Sequence, residues 1–262
     1  MRVYLINLKR RKDRLRAMQE QAGGLGLKPG LERVDALDAG TAAPDEVNLW
    51  FAKGGPLGEI PAGDKACLLS HRAAWERFAA TNDAHAVFLE DDVRLSKAAG
   101  AMLLSDAWIP AGVQVVKLEH YGPPGQRVLL ADLHAVGEDF RMGRMLSRHT
   151  GAAAYILSRA AVAMLLAEQR FDLPVDHLLF NPNNSKLFAR LSPWQLLPAI
   201  ARQQAFVGEK SDIEQTRVDH RSFGLAYARR ELVRVGYDLK LLPRQLAALM
   251  TGAKFVAVRT AP

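Results

Sequence analysis

Short apolar runs alternate with amphipathic stretches along this chain, and the alternation predicts a layered α/β architecture. Val3-Tyr4-Leu5-Ile6-Asn7-Leu8 is apolar, partly β-branched and too short for a helix, which is the pattern of a buried strand. Lys12 to Gln21 places Leu15 and Met18 on one face and charges elsewhere, predicting a helix that Gly23, Gly24 and Gly26 end. Leu31 to Ala36 reads as a second strand, and residues 38–63, rich in Gly and Pro, read as a long functional or mobile loop. Asp64 to Ala80 predicts a helix with Leu68, Ala74, Trp75 and Phe78 as its apolar positions. His85 to Leu89 is a strand running into Glu90-Asp91-Asp92, and Val113 to Leu118 is another. Gly122-Pro123-Pro124-Gly125 is a turn, Ala152 to Leu157 a strand, and Ser158 the cap of a helix reaching Ala167. Pro174-Val175-Asp176 opens the next segment, and Pro193 and Pro198 mark an irregular stretch. The remainder reads as helical, with a late strand at Phe255 to Val258. Strands alternating with helices predict a Rossmann-type, mostly parallel sheet flanked by helices.

Composition narrows the class. The chain has 262 residues, 49% hydrophobic and 24% charged, as expected of a globular α/β protein. A single cysteine, Cys67, can form neither an internal disulfide nor a cysteine-rich zinc site, which points to a reducing compartment. The first apolar run is followed by Lys9-Arg10-Arg11-Lys12 rather than by a small-residue cleavage site, and no run approaches the length of a membrane span. These features together predict a cytoplasmic protein.

Charge then divides the chain. The net charge is +7, and from Arg217 onward nine basic residues face three acidic ones, a local net of +6. The chain is therefore read as residues 1–215 followed by a basic, mainly helical extension over 216–262. Such an extension attracts phosphorylated glycans, an anionic membrane surface or nucleic acid. No basic motif interleaved with aromatics is present, which argues against nucleic acid.

The strongest chemical signal is His85-Ala86-Val87-Phe88-Leu89-Glu90-Asp91-Asp92-Val93. Three successive carboxylates repel one another and persist where a cation or water neutralises them. In open α/β sheets ligands gather beyond the carboxyl ends of strands, where this cluster lies. Oxygen donors suit Mg²⁺ or Mn²⁺, which bridge protein carboxylates to substrate phosphates. Strand alternation places Glu90 and Asp92 on one side and Asp91 on the other. The plain alternative is a solvated turn after a strand.

The ordered blocks around this cluster resemble glycosyltransferase family 25, the bacterial lipooligosaccharide and lipopolysaccharide transferases that include β-galactosyltransferases. Tyr4 to Arg14 resembles the family's opening Ile-Asn-Leu strand with its spaced arginines, and Glu32-Arg33-Val34-Asp35-Ala36 its next segment. Gly63 to His71 resembles the block ending Leu-Ser-His, and Ala86 to Val93 the Leu-Glu-Asp-Asp-Val block. Thr150 to Ser158 and Pro174-Val175-Asp176 resemble the distal blocks. The chain departs from the family at Gly63-Asp64-Lys65-Ala66-Cys67, where Gly-Glu-Ile-Gly-Cys is common.

The resemblance implies a GT-A-like fold, a UDP-sugar donor, a saccharide or glycolipid acceptor, Mn²⁺ or Mg²⁺, and inversion at the anomeric carbon. Glu90 and Asp92 would then hold the cation, with His149 or His177 completing its shell or touching phosphate. Asp91 would contact the donor ribose or sugar. Asn7 and Arg14 would hold uracil, ribose or phosphate, and Ser70 and His71 the donor sugar, against helix packing as the plain alternative. An inverting transfer needs a base, for which Asp176 is the first candidate and Asp212 the second. For Asp176 a helix N-cap role is the competing reading. Competing functions are a catalytically inactive nucleotide- or glycan-binding relative and a metal-dependent phosphoester hydrolase, although no phosphate-cradling glycine loop is present.

Overall fold

A computed structural model describes residues 1–123, 125–204 and 225–262. In chain order its elements are β1 (Arg2–Leu8), α1 (Lys12–Gly24), β2 (Leu31–Ala36), α2 (Pro44–Asn48), α3 (Ala62–Ala79), β3 (His85–Glu90) and β4 (Val93–Leu95). There follow α4 (Ala99–Leu104), β5 (Val115–Lys117), β6 (Glu119–His120), β7 (Arg127–Ala135), β8 (Arg141–Met145), β9 (Ala154–Ser158) and α5 (Arg159–Leu166). The last are α6 (Val175–Phe180), α7 (Phe188–Leu191), β10 (Trp194–Leu197), β11 (Ala201–Gln203), α8 (Leu225–Met250) and β12 (Lys254–Ala257).

The main sheet has the order β12-β7-β8-β10-β5-β9-β3-β1-β2. The pairings make β2, β1, β3, β5, β10 and β7 run one way and β9, β8 and β12 the other. The α/β sheet flanked by helices is as expected, and six of its nine strands share a direction. It is nonetheless mixed, because β9 inserts in reverse between β3 and β5. A second small sheet, β4-β11-β6, lies at the rim.

Strand alternation divides the core between the two faces of the sheet. Tyr4, Phe88 and Tyr155 lie on one face, packed with Trp75 and Phe78 of α3. Val3, Leu5, Val87, Leu89 and Ile156 lie on the other, with Met18 and Ala22 of α1. The rings of Tyr4, Phe88 and Tyr155 stack across three strands, with centroids 5.5 and 5.3 Å apart. The register is parallel between β1 and β3, pairing Ile6 with Glu90, so both strands end at the same rim. The fold thereby sets the acidic cluster in a cleft.

Several elements differ from the sequence reading. The expected Val113–Leu118 strand is shorter, at Val115–Lys117. The stretch marked by Pro193 and Pro198 is a sheet strand, β10, since a proline at either end removes no interior donor. The pair β7 and β8 went unread because its apolar residues are interrupted by Asp132 and His134, at a register irregularity between Ala131 and His134. The late strand is present at Lys254–Ala257 and pairs with β7, so the end of the chain belongs to the sheet. No helix among the described residues is long and apolar enough to cross a membrane.

Candidate active site

A cleft of about 400 Å³ opens at the rim where β1 and β3 end. Arg14, Ser70, His71, Glu90, Asp91, Asp92 and Asp176 all line it, residues that are far apart in sequence. Asn7 lies just behind, fully buried. His149 does not join them: it lines a neighbouring cleft. Its Nδ1 is 2.8 Å from Gln195 Oε1, and its Nε2 accepts from the Tyr121 amide at 3.2 Å. With both ring nitrogens engaged away from the carboxylates, the expectation that it completes their metal shell finds no support in its placement. Asp212 lies outside the described residues.

The alternation expected within the cluster is also corrected. The strand ends at Glu90, and Asp91 and Asp92 occupy the turn before β4. Arg14 of α1 consequently reaches both, with Nη1 3.1 Å from Asp91 Oδ1 and 3.9 Å from Asp92 Oδ2. Asn7 donates to Asp91 Oδ2 at 2.7 Å, and its own Oδ1 accepts from Arg33 at 2.9 Å. Asp91 is thus clamped by an amide and a guanidinium, an arrangement that fixes the turn.

Asp92 is the unbalanced member. It is 7% exposed, and its Oδ1 has no hydrogen-bond partner among the described residues. Burial and then the Glu90 charge push its carboxyl up to about 7. Glu90 turns toward α3. Its Oε1 is 3.1 Å from His71 Nε2 and 3.8 Å from Cys67 Sγ, and its Oε2 accepts from Gln203 of β11 at 3.4 Å. The small sheet completes this edge, with the Gln204 amide donating to the Asp92 carbonyl at 2.8 Å.

His71 is buried by α3 packing against the sheet, and burial pulls its pKa down to about 3, so it is neutral. Ser70 bonds Ala66 O at 2.7 Å and accepts from the Leu37 amide at 2.9 Å, tying α3 to the loop after β2. Asp176 lies in the first turn of α6, whose N-cap is Pro174, so the N-cap reading does not apply. Its Oδ1 accepts from the His177 amide at 2.9 Å, and its Oδ2 lies 3.5 Å from the Gly151 amide.

Residues missed in the sequence lie beneath the cleft as a buried floor, reaching it through Gly151, which lines it. Lys117 and Glu119 are fully buried and paired at 2.6 Å. Lys117 Nζ also donates to the Gly151 carbonyl and lies 4.4 Å from the centre of the Phe180 ring. Burial holds the lysine below and the glutamate above their ordinary pKa ranges, each partly offset by the other. Gly151 has φ +88°, and a Cβ there would sit 2.4 Å from Tyr121 Cδ2, so only glycine lets this backbone approach. The signal was present: two charges spaced i, i+2 around Leu118 in an apolar run share one strand face.

A cleft with a buried carboxylate beyond the strand ends lies where ligand sites of open α/β sheets gather. The sequence pattern of glycosyltransferase family 25 (LPS biosynthesis protein) matches residues 1–179, and the chain belongs to that family. It is 31% identical over 160 residues, 54% of this chain, to the lacto-N-neotetraose biosynthesis glycosyltransferase LgtB of Neisseria meningitidis serogroup A, covering 53% of that protein. It is 25% identical over 178 residues to the lipooligosaccharide biosynthesis protein lic2B of Haemophilus influenzae, covering 60% of this chain and 58% of that one. A glycosyltransferase 25 family member of Aedes aegypti is 27% identical over 237 residues, 82% of this chain and 37% of its own length. The chain therefore spans only part of each relative, about half in the first. The family match ends within α6, so it contains the acidic cluster and Asp176 but not Gln203 or α8.

Proposed function

We propose that this chain transfers a hexose, galactose first, from a UDP-sugar to a saccharide of a lipooligosaccharide or lipopolysaccharide acceptor, with inversion. The observation that carries the reading is Asp92 Oδ1, a buried carboxylate oxygen without a hydrogen-bond partner among the described residues, beside Glu90 in the cleft. A carboxylate raised in this way regains its charge when a cation arrives, so the residues present fit Mn²⁺ or Mg²⁺. Glu90 and Asp92 would hold it, and when bound it supplies Lewis-acid stabilisation of the leaving diphosphate. Arg14 and Asn7 keep Asp91, and with it the turn, in place.

Asp176 acts as the base. It takes the proton of an acceptor hydroxyl as that oxygen bonds to the anomeric carbon and the bond to the diphosphate breaks. Its position favours this role: a second cleft of about 660 Å³ adjoins the first and shares Asp64, Tyr121 and Asp176 with it. A donor in the first cleft and an acceptor in the second would meet at Asp176. The test is a panel of UDP-sugars assayed for transfer with and without Mn²⁺, for wild type and Asp176→Asn. The variant should bind donor normally and lose transfer by roughly 100- to 10,000-fold. Unchanged turnover removes Asp176 as base, and hydrolysis of simple phosphoesters in place of transfer supports the hydrolase reading.

The acceptor's lipid end places the work at an anionic inner-membrane surface. In support, α8 exposes Val235, Leu239, Leu242, Leu246 and Met250 together with Lys240 and Arg244. Binding to vesicles of anionic lipid should weaken with salt and with Leu239→Glu/Leu246→Glu, read by co-sedimentation. Equal binding to neutral vesicles contradicts it.

A further inference from the structure

Cys67 and His71 stand at i and i+4 on α3, so both side chains leave the same face of the helix. That face meets the end of β3. Cys67 Sγ and His71 Nε2 lie 3.8 and 3.1 Å from the same oxygen, Glu90 Oε1, and the three ligand atoms fall within 4.8 Å of one another. A tetrahedral ion with ordinary zinc bond lengths has ligand edges of about 3.3–3.8 Å. The side chains already stand close to that spacing without an ion. All three line the cleft, which leaves a fourth position on its open side.

We infer that Cys67, His71 and Glu90 bind a thiophilic divalent cation of the zinc class, at a site distinct in chemistry from the oxygen-only pair Glu90 and Asp92. Sulfur, nitrogen and one carboxylate oxygen select such an ion over Mg²⁺. The surroundings are those a ligating histidine requires. His71 Nδ1 is 2.7 Å from Tyr155 Oη, and Tyr155 Oη accepts from Trp75 Nε1 at 3.0 Å. An indole only donates, so the hydroxyl keeps a proton and a lone pair. It can therefore accept from Nδ1–H and leave the Nε2 lone pair for the ion. On binding, the Cys67 thiol proton passes to solvent and no electron changes hands.

Glu90 belongs to both ligand sets. A zinc-class ion withdraws it from Asp92 and inhibits the reaction that Mn²⁺ supports; that consequence rests on the sugar-transfer reading, whereas the binding does not. The experiment is a Co²⁺ titration of the full chain without nucleotide sugar, followed by absorption spectroscopy. Cys67 is the single cysteine of the sequence, so a thiolate-to-cobalt charge-transfer band reports on this site alone. The band should saturate at one equivalent, yield to Zn²⁺ and persist in Asp92→Asn. It should be lost in Cys67→Ser and need at least about ten-fold more Co²⁺ in Glu90→Gln and in His71→Gln. No band in the wild-type protein at saturating Co²⁺ overturns the proposal, as does a wild-type titration curve in both Glu90→Gln and His71→Gln. Failure of every UDP-sugar to react leaves this spectroscopic result standing, so the two readings fail separately.

Discussion

Two strand ends carry acidic side chains near the cleft, one lining it and one sealed beneath it, and they meet the problem of buried charge in different ways. Beyond β3, one guanidinium, Arg14, reaches Asp91 and Asp92 while Glu90 turns to His71 and Gln203, and Asp92 Oδ1 is unpartnered among the described residues. Beyond β5, Glu119 has its own lysine at 2.6 Å, and both are sealed from solvent. Glu119 has a buried ammonium at ion-pair distance on Oε1, although its Oε2 is also without a hydrogen-bond partner among the described residues, whereas Asp92 has only the Arg14 guanidinium at 3.9 Å. On the proposed function, that contrast separates a self-paired structural floor from carboxylates that would take a cation.

The sharpest way to break the contrast is to unbalance the floor. Lys117→Met leaves Glu119 buried and unpaired and should cost about 3–5 kcal/mol in urea unfolding, while Lys117→Met/Glu119→Leu should recover most of it. A loss below about 1 kcal/mol for the single variant would show that the floor tolerates charge as the cluster does.

A smaller effect comes from the polar network on the sealed side. Gln195 joins His149 to the carbonyls of Lys117 and Glu119, at 2.8, 3.4 and 3.3 Å. Burial pulls His149 down to about 3, below the ordinary value near 6.5. A depressed histidine stabilises fully above pH 6.5, and the contribution fades as pH falls toward 3, because the unfolded chain binds the proton first. Asp92, pushed up to about 7, pulls the other way, so the informative quantity is a difference between proteins. Between pH 7 and pH 5 the wild type should lose about 1–2 kcal/mol more than His149→Gln. Parallel losses would mean that His149 is not held neutral.

The first half of the chain was legible because its elements are local. Strands β1 and β3 are nearly continuous apolar runs and the helix over Ala62–Ala79 buries Leu68, Ala74, Trp75 and Phe78; further on, Ser158 caps α5 by accepting from the Ala161 amide at 3.1 Å. The cluster could be read because its three letters are consecutive. Its partners could not, since Cys67 and Gln203 reach it only through packing across α3 and β11. Asn7 and Arg14, expected to hold the nucleotide, both bond Asp91, a contact across more than 70 residues that no local pattern encodes.

On the proposed function, the carboxylates beyond β3 take a divalent cation together with a nucleotide diphosphate. Calorimetric titration of Mn²⁺ with and without UDP, for wild type and Asp92→Asn, tests it directly. UDP should tighten Mn²⁺ binding by at least about ten-fold in the wild type, a coupling of about 1.4 kcal/mol, and Asp92→Asn should abolish the coupling. Equal Mn²⁺ affinity with and without UDP, or coupling that survives Asp92→Asn, would contradict it.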